Sequence, residues 1–327
     1  MRLNLHTLPI YQDQFALVET RFLQLFENPA AFQEIVARGL KFMHAPNADS
    51  KVELIKSNFF SEELLQAMIC GGAPYKTSPI HYIWGRLIEH QIVIRATGHM
   101  PGAFVDHHLV LPLLLEHLRA NTLANIFAPP SAIINRYADA IVAIDVETAS
   151  GNKSRGTGFF AAPNAGPTLL YTCKHNVDPE SGIKIMRITT AGGKSVEFGE
   201  TLCHVSEDIA VIAVRGFDPP EPYFRFRSEV DIFDEVYTLG YPKVPCAETK
   251  VVGHRGEVNG SGKLYLGGSD IILISNLVSP GNSGGPLLDR DGFCIGMSIK
   301  WLEGEWEGER ARFSAALPAS LLELFGG

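Results

Sequence analysis

The sequence contains no apolar segment able to cross a bilayer. Its longest apolar run, residues 109–115, is interrupted by Pro112 and falls far short of the roughly 20 residues a span needs. The first residues, Met1-Arg2-Leu3-Asn4-Leu5-His6, lead to Tyr11-Gln12-Asp13-Gln14 without the apolar core of a secretory signal. Positive charge is also short. There are 28 Lys and Arg against 36 Asp and Glu, a net charge of −8, and the basic residues are scattered. That balance leaves no electrostatic footprint for nucleic acid or an anionic membrane, and neither is expected as a partner. Cysteine is scarce and odd in number: Cys70, Cys173, Cys203, Cys246 and Cys294 show no paired spacing. They read as reduced thiols, which places the chain in the cytoplasm. Repeats and low-complexity tracts are absent as well. What remains is a globular chain of 327 residues, long enough for two folding units.

The most informative segment is Gly281-Asn282-Ser283-Gly284-Gly285-Pro286. Small residues around a serine, closed by a proline, suit a sharp exposed turn. Such a turn presents the Ser283 hydroxyl to solvent and brings the amides of Gly281 and Ser283 to one point. Two convergent N–H donors beside a nucleophilic oxygen are what acyl transfer requires, because an oxyanion develops there. After the motif, Leu287-Leu288, a turn at Asp289-Arg290-Asp291-Gly292, and Phe293-Cys294-Ile295-Gly296 read as strand, hairpin and strand. The nucleophile elbow of an α/β-hydrolase would run into a helix instead. A serine hydroxyl needs a base, and the base needs a carboxylate to orient it. Thr168-Leu169-Leu170-Tyr171-Thr172-Cys173 is a strand-like run that delivers His175 and Asn176. Ser206-Glu207-Asp208 opens an apolar strand over 209–214. Asp208 stands at the mouth of that strand as a candidate orienting acid, and Glu207 is a rival that would point to the opposite side of the strand.

In chain order these residues are His175, Asp208 and Ser283, which is the chymotrypsin order. Around them stand Gly156-Thr157-Gly158-Phe159-Phe160, Thr172-Cys173-Lys174-His175, Asp208-Ile209-Ala210-Val211, Leu239-Gly240-Tyr241-Pro242, the serine loop and Phe313-Ser314-Ala315-Ala316-Leu317-Pro318. In these pieces the chain resembles the trypsin-like serine proteases, most closely the HtrA/Deg branch, over roughly residues 135–322. The resemblance implies an all-β chymotrypsin-like double β-barrel, with barrels over about 138–220 and 230–320. It implies a serine endopeptidase acting on protein or peptide. His175 would be general base and then general acid, Asp208 would fix its tautomer, and Ser283 would attack. The amides of Gly281 and Ser283 would form the oxyanion hole. No cofactor and no metal is implied. The alternative is a catalytically silent trypsin-fold scaffold or binding protein.

Departures from the digestive enzymes bear on regulation and specificity. Asn282 stands where those enzymes carry an aspartate that pairs with a newly cleaved N-terminus, and about 135 residues precede the domain. Ordering of the oxyanion loop, as in HtrA-like enzymes, is therefore expected in place of activation by cleavage. Secreted trypsins also place a disulfide cysteine directly after the histidine, where this chain has Asn176. The expected substrate pocket involves Leu277, six residues before Ser283, with Ser298 and Lys300. An apolar floor favours an aliphatic or aromatic P1 residue, and Lys300 would repel a basic one. Four glutamates in Trp301-Leu302-Glu303-Gly304-Glu305-Trp306-Glu307-Gly308-Glu309 offer the alternative of a basic P1, or form a solvated hairpin tip. A P1-varied peptide library separates these readings, and a strict Arg or Lys preference would refute the apolar floor. The sequence runs only a few residues past its last expected strand, so no PDZ domain of the HtrA kind is expected.

Residues 1–130 differ in kind. The whole reads as an α+β multidomain chain, an N-terminal all-α domain ahead of the protease domain at 131–327. Phe15, Val18, Phe22, Leu25 and Phe26 recur at helical spacing, as do Phe32, Ile35, Val36, Leu40 and Phe42 approximately. Ser61-Glu62-Glu63-Leu64 reads as an N-cap opening a helix toward Cys70, which Gly71-Gly72 stops. Residues 108–123 form another helix candidate, and Ala128-Pro129-Pro130-Ser131 is the expected linker. Six histidines between His81 and His117 match no recognised ligand spacing and read as helical surface residues. This domain is expected to gate activity or to recruit a protein partner or substrate. Helical modules fused to trypsin-like domains are similar in architecture to bacterial stress or defence effectors.

Overall fold

The computed structural model describes residues 17, 20–24, 59–62, 65–66, 77–95, 107–163, 166–216, 218–219, 221–244, 251–264, 268–299, 302–306 and 309–326. The chain divides into two compact units, Met1–Pro129 and Pro130–Gly327.

In the first unit the helix Thr77–Glu89 buries Ile80, Ile83, Trp84 and Leu87. That is the i, i+3, i+4, i+7 stripe of an amphipathic helix. The stripe packs in one core with Phe22, Leu65, Leu109, Leu114, Ile126 and Phe127. The unit is not purely helical. Strands β1 (Phe59–Phe60), β2 (Val93–Arg95) and β3 (His107–Leu109) form an antiparallel sheet with β3 in the middle. The helix expected over 108–123 accordingly starts only at Leu111, after β3, and runs to Ala120. Pro112 lies in its first turn, where a missing N–H leaves no bond unmade.

The histidines are not all on the surface. His90 and His117 are buried, and His117 Nδ1 lies 3.0 Å from the Thr122 hydroxyl. His81 is exposed and meets Glu62 at 2.9 Å. Among the described residues none of these histidines joins a group of three potential metal ligands. The apolar repeats at Phe15, Val18, Leu25 and Phe26 and over 32–42, with Cys70, Gly71 and Gly72, lie outside the described residues.

The second unit opens with the helix Pro130–Arg136, where the linker was expected. The first sheet comprises β4 (Ile141–Glu147), β5 (Lys153–Ala162), β6 (Leu169–Thr172), β7 (Lys184–Thr190), β8 (Phe198–Cys203) and β9 (Ala210–Val214). Its order is β7-β4-β5-β6-β9-β8, and β10 (Phe224–Arg225) adds in parallel to β5. Phe224 stacks on Tyr137 and meets Phe159 edge-on, which fixes the crossing segment against this barrel.

The second sheet comprises β11 (Glu235–Gly240), β12 (Val252–Lys263), β13 (Asp270–Ile274), β14 (Pro286–Asp289), β15 (Cys294–Ser298), β16 (Leu302–Trp306) and β17 (Glu309–Pro318). Its order is β13-β12-β11-β14-β15-β17-β16, and an additional β13–β17 pairing closes the barrel around Val236, Val258, Ile272, Leu287 and Ile295. Glu303 and Glu305 lie on β16 and Glu309 on β17, which pair antiparallel with Leu302 opposite Phe313. This is the double β-barrel that the resemblance implies.

Candidate active site

His175 lies on a single helical turn, Lys174–Val177, directly after β6. Asp208 lies just before β9, the strand paired to β6. Antiparallel pairing of β6 with β9 brings the two residues together. The His175 amide donates to Asp208 Oδ1 at 2.9 Å, and His175 Nδ1 meets Asp208 Oδ2 at 2.6 Å. Both carboxylate oxygens are thereby engaged by one residue, so ring and carboxylate are fixed relative to each other. An ionised carboxylate at this distance favours the tautomer with the proton on Nδ1, leaving Nε2 as the acceptor.

Glu207, the rival acid, is not part of this pair. Its amide and that of Ser206 donate to His204 Nδ1, at 2.8 and 3.2 Å, in the turn that leads into Asp208. Cys173 is fully buried and its thiol donates to the Ser298 carbonyl at 3.5 Å. Burial, and then the Asp208 carboxylate beside it, pushes this thiol well up, so it stays protonated and is no rival nucleophile. Cys173, His175 and Asp208 are the one group of three potential metal ligands among the described residues. Their donor atoms suit a base–carboxylate pair better than a metal, because two of them bond each other and the third holds its proton.

The serine turn is packed, not exposed as its glycines suggested: Ser283 is only 7 % exposed and Asn282 only 1 %. Two of its glycines are required by space as well as by backbone. Gly281 has φ +101, and a Cβ there would run into the Tyr241 carbonyl. Gly284 has φ +85, and a Cβ there would run into the Thr157 carbonyl. The Pro280 carbonyl accepts from Lys243 N at 2.9 Å, and the Asn282 carbonyl accepts from Gly285 N at 2.9 Å. In trans peptides the next N–H points the opposite way, so the amides of Gly281 and Ser283 are turned from these anchors. Neither donates to a backbone carbonyl among the described residues. Asn282 is also explained. Among the described residues no donor reaches its buried Oδ1, so an aspartate there would be an uncompensated buried charge.

Two residues without a role in the sequence reading hold this turn. The Thr157 hydroxyl accepts from Tyr241 N at 2.9 Å and donates to the Gly281 carbonyl at 2.6 Å. The Thr157 amide donates to the Ser283 carbonyl at 3.1 Å. One β5 residue thus grips the carbonyls on both sides of Asn282. Asn176 Nδ2 donates to the same Ser283 carbonyl at 2.9 Å. The Tyr241 hydroxyl reaches the Ile141 carbonyl of the first barrel at 3.3 Å, and burial pushes its phenol up to about 12, so it remains a neutral donor.

The expected pocket residues fare differently. Leu277 is 57 % exposed. Ser298 is completely buried, and its backbone pairs with Gly284 N and the Gly285 carbonyl, so it braces the serine turn and is closed to solvent. Lys300 lies outside the described residues.

Residues 156–297 match the trypsin-like peptidase domain family. The chain is also similar to a DegP-like protease. It is 28 % identical over 151 residues to a probable periplasmic serine endoprotease, DegP-like, of Chlamydia pneumoniae, a match that covers 46 % of this chain and 29 % of that protein. Among solved structures, an HtrA-type protease with a tripeptide is 19 % identical over 60 % of this chain and 61 % of its own, with a TM-score of 0.45. The Rv3671c protease from M. tuberculosis, in its active form, is 22 % identical over 61 % of this chain and 86 % of its own, with a TM-score of 0.47.

Proposed function

We propose that the chain is a serine endopeptidase that cleaves protein or peptide substrates through His175, Asp208 and Ser283. The observation that carries this reading is the double engagement of Asp208 by His175, at 2.9 and 2.6 Å, in a trypsin-like domain with a glycine-bound serine turn. His175 Nε2 takes the Ser283 proton as the hydroxyl oxygen attacks the scissile carbonyl. Asp208 stabilises the imidazolium that forms, and the amides of Gly281 and Ser283 receive the oxyanion. Collapse of the tetrahedral intermediate breaks the C–N bond, and His175 returns the proton to the leaving amine. Water repeats the sequence on the acyl-enzyme. The N-terminal unit gates this chemistry or recruits a partner or substrate.

The test is labelling with a fluorophosphonate serine probe. Wild-type protein is expected to label, with Ser283→Ala and His175→Ala both losing the label. Folded wild type that stays unlabelled, alone and with cell extract added to supply a partner, would replace this reading with a silent trypsin-fold scaffold.

A further inference from the structure

Asn176 immediately follows the base and reaches the nucleophile. Its Nδ2 donates to the Ser283 carbonyl at 2.9 Å and to the Thr172 hydroxyl at 3.2 Å. The orientation of the amide is forced by these partners. A carbonyl can only accept, and the single Thr172 hydroxyl proton is given to the Thr157 carbonyl at 2.7 Å. The Thr157 amide in turn donates to the Ser283 carbonyl at 3.1 Å. Asn176, Thr172, Thr157 and Ser283 therefore close a ring of four hydrogen bonds. Three of these residues come from the β5–β6 region and its following turn, and the fourth is the candidate nucleophile, 107 residues beyond Asn176. Space for the amide is provided by Gly156, where a Cβ would lie 2.5 Å from the Asn176 amide carbon.

We infer that Asn176 is a positioning residue that sets the distance between the base and the nucleophile. The inference rests on the reading of His175 and Ser283 given above. His175 and Asn176 share one helical turn, so whatever holds the Asn176 side chain holds the His175 backbone beside it. By gripping the Ser283 carbonyl, the amide ties the turn that carries the base to the turn that carries the hydroxyl. It makes this tie with one neutral side chain, and the tie needs no oxidised thiol. A misplacement of the reacting groups by about 1 Å can lower a rate by about 10²-fold, so a small slack at this tie should register in turnover while substrate binding is untouched.

The experiment compares Asn176→Ala, Asn176→Asp and Gly156→Ala with wild type. The readouts are the rate of fluorophosphonate labelling, kcat and KM on a fluorogenic peptide, and the melting temperature. Asn176→Ala is expected to lower labelling and kcat by at least about tenfold, with KM within about twofold of wild type. Asn176→Asp, which sets an acceptor against an acceptor, is expected to lose more. Gly156→Ala keeps the amide but displaces it, and should lose labelling even if the Asn176 variants fail to fold. All rates are taken well below each variant's melting temperature. Folded variants that melt earlier but label and turn over at the wild-type rate would overturn the inference, because Asn176 would then only stabilise the fold. Wild type that labels and loses its label in Ser283→Ala keeps the parent reading whichever way the Asn176 variants behave. Wild type that never labels overturns both.

Discussion

Asp208→Asn is expected to lower kcat by about 10⁴-fold while the protein stays folded. In the wild-type site both carboxylate oxygens accept from His175, one from its amide at 2.9 Å and one from Nδ1 at 2.6 Å. A carboxamide has one accepting oxygen and one donating NH2 group. If its oxygen keeps the His175 amide, its NH2 faces Nδ1 and stabilises the tautomer with the proton on Nε2. A ring in that state cannot accept the Ser283 proton. If the amide flips, the backbone donor loses its acceptor and the helical turn over Lys174–Val177 loosens. The first outcome removes the base and the second loosens the turn that carries it, and neither touches substrate binding, so KM should move little. The measurement is kcat and KM on a fluorogenic peptide, with thermal melting as the control for folding. A loss smaller than about tenfold would mean that His175 is not held by this pair during turnover.

Thr157→Val is expected to lower kcat by about 10²-fold to 10³-fold and to destabilise the domain by about 1–3 kcal/mol for each buried group left unpaired. Valine keeps the shape of threonine and removes only the hydroxyl. That hydroxyl is completely buried and bridges Tyr241 N at 2.9 Å to the Gly281 carbonyl at 2.6 Å. Without it the Gly281 carbonyl has no hydrogen-bond donor among the described residues, and the turn that orients the Gly281 and Ser283 amides gains freedom. The Thr157 amide bond to the Ser283 carbonyl survives, because a side-chain change does not remove it. The loss should therefore appear in stabilisation of the oxyanion more than in placement of the nucleophile. Thr157→Ser retains the bridge and should stay within about threefold of wild type. Equal fluorophosphonate labelling rates for the valine and serine variants would refute the assignment.

The sequence by itself determined those parts of the site that are written in short stretches of backbone. The Gly281–Pro286 run specifies a tight turn because only glycine accepts the left-handed backbone at Gly281 and Gly284. The strand–hairpin–strand pattern after it, and the apolar strands ahead of His175 and after Asp208, follow from local alternation and turn residues. The order of His175, Asp208 and Ser283 carries the class. The resemblance also implied the pairing of His175 with Asp208, and the structure brings it about through the antiparallel strands β6 and β9.

Tertiary structure decided what joins these stretches. Thr157 and Gly281 are 124 residues apart, Thr157 and Tyr241 are 84 apart, and Asn176 and Ser283 are 107 apart. A hydrogen bond over such a separation leaves no periodicity in the chain, because threonine and asparagine look the same whether solvated or buried against a distant carbonyl. The burial of Ser298, which the sequence placed in the pocket, has the same origin: its neighbours are Cys173, just after β6, and Gly284 of the serine turn. In the first unit the sheet of β1, β2 and β3 escaped notice because strands of two or three residues are too short to show alternation. His117 is buried for a related reason. It faces a core built by helices and strands on both sides of it in the chain, and its own segment carries no mark of which face will be covered.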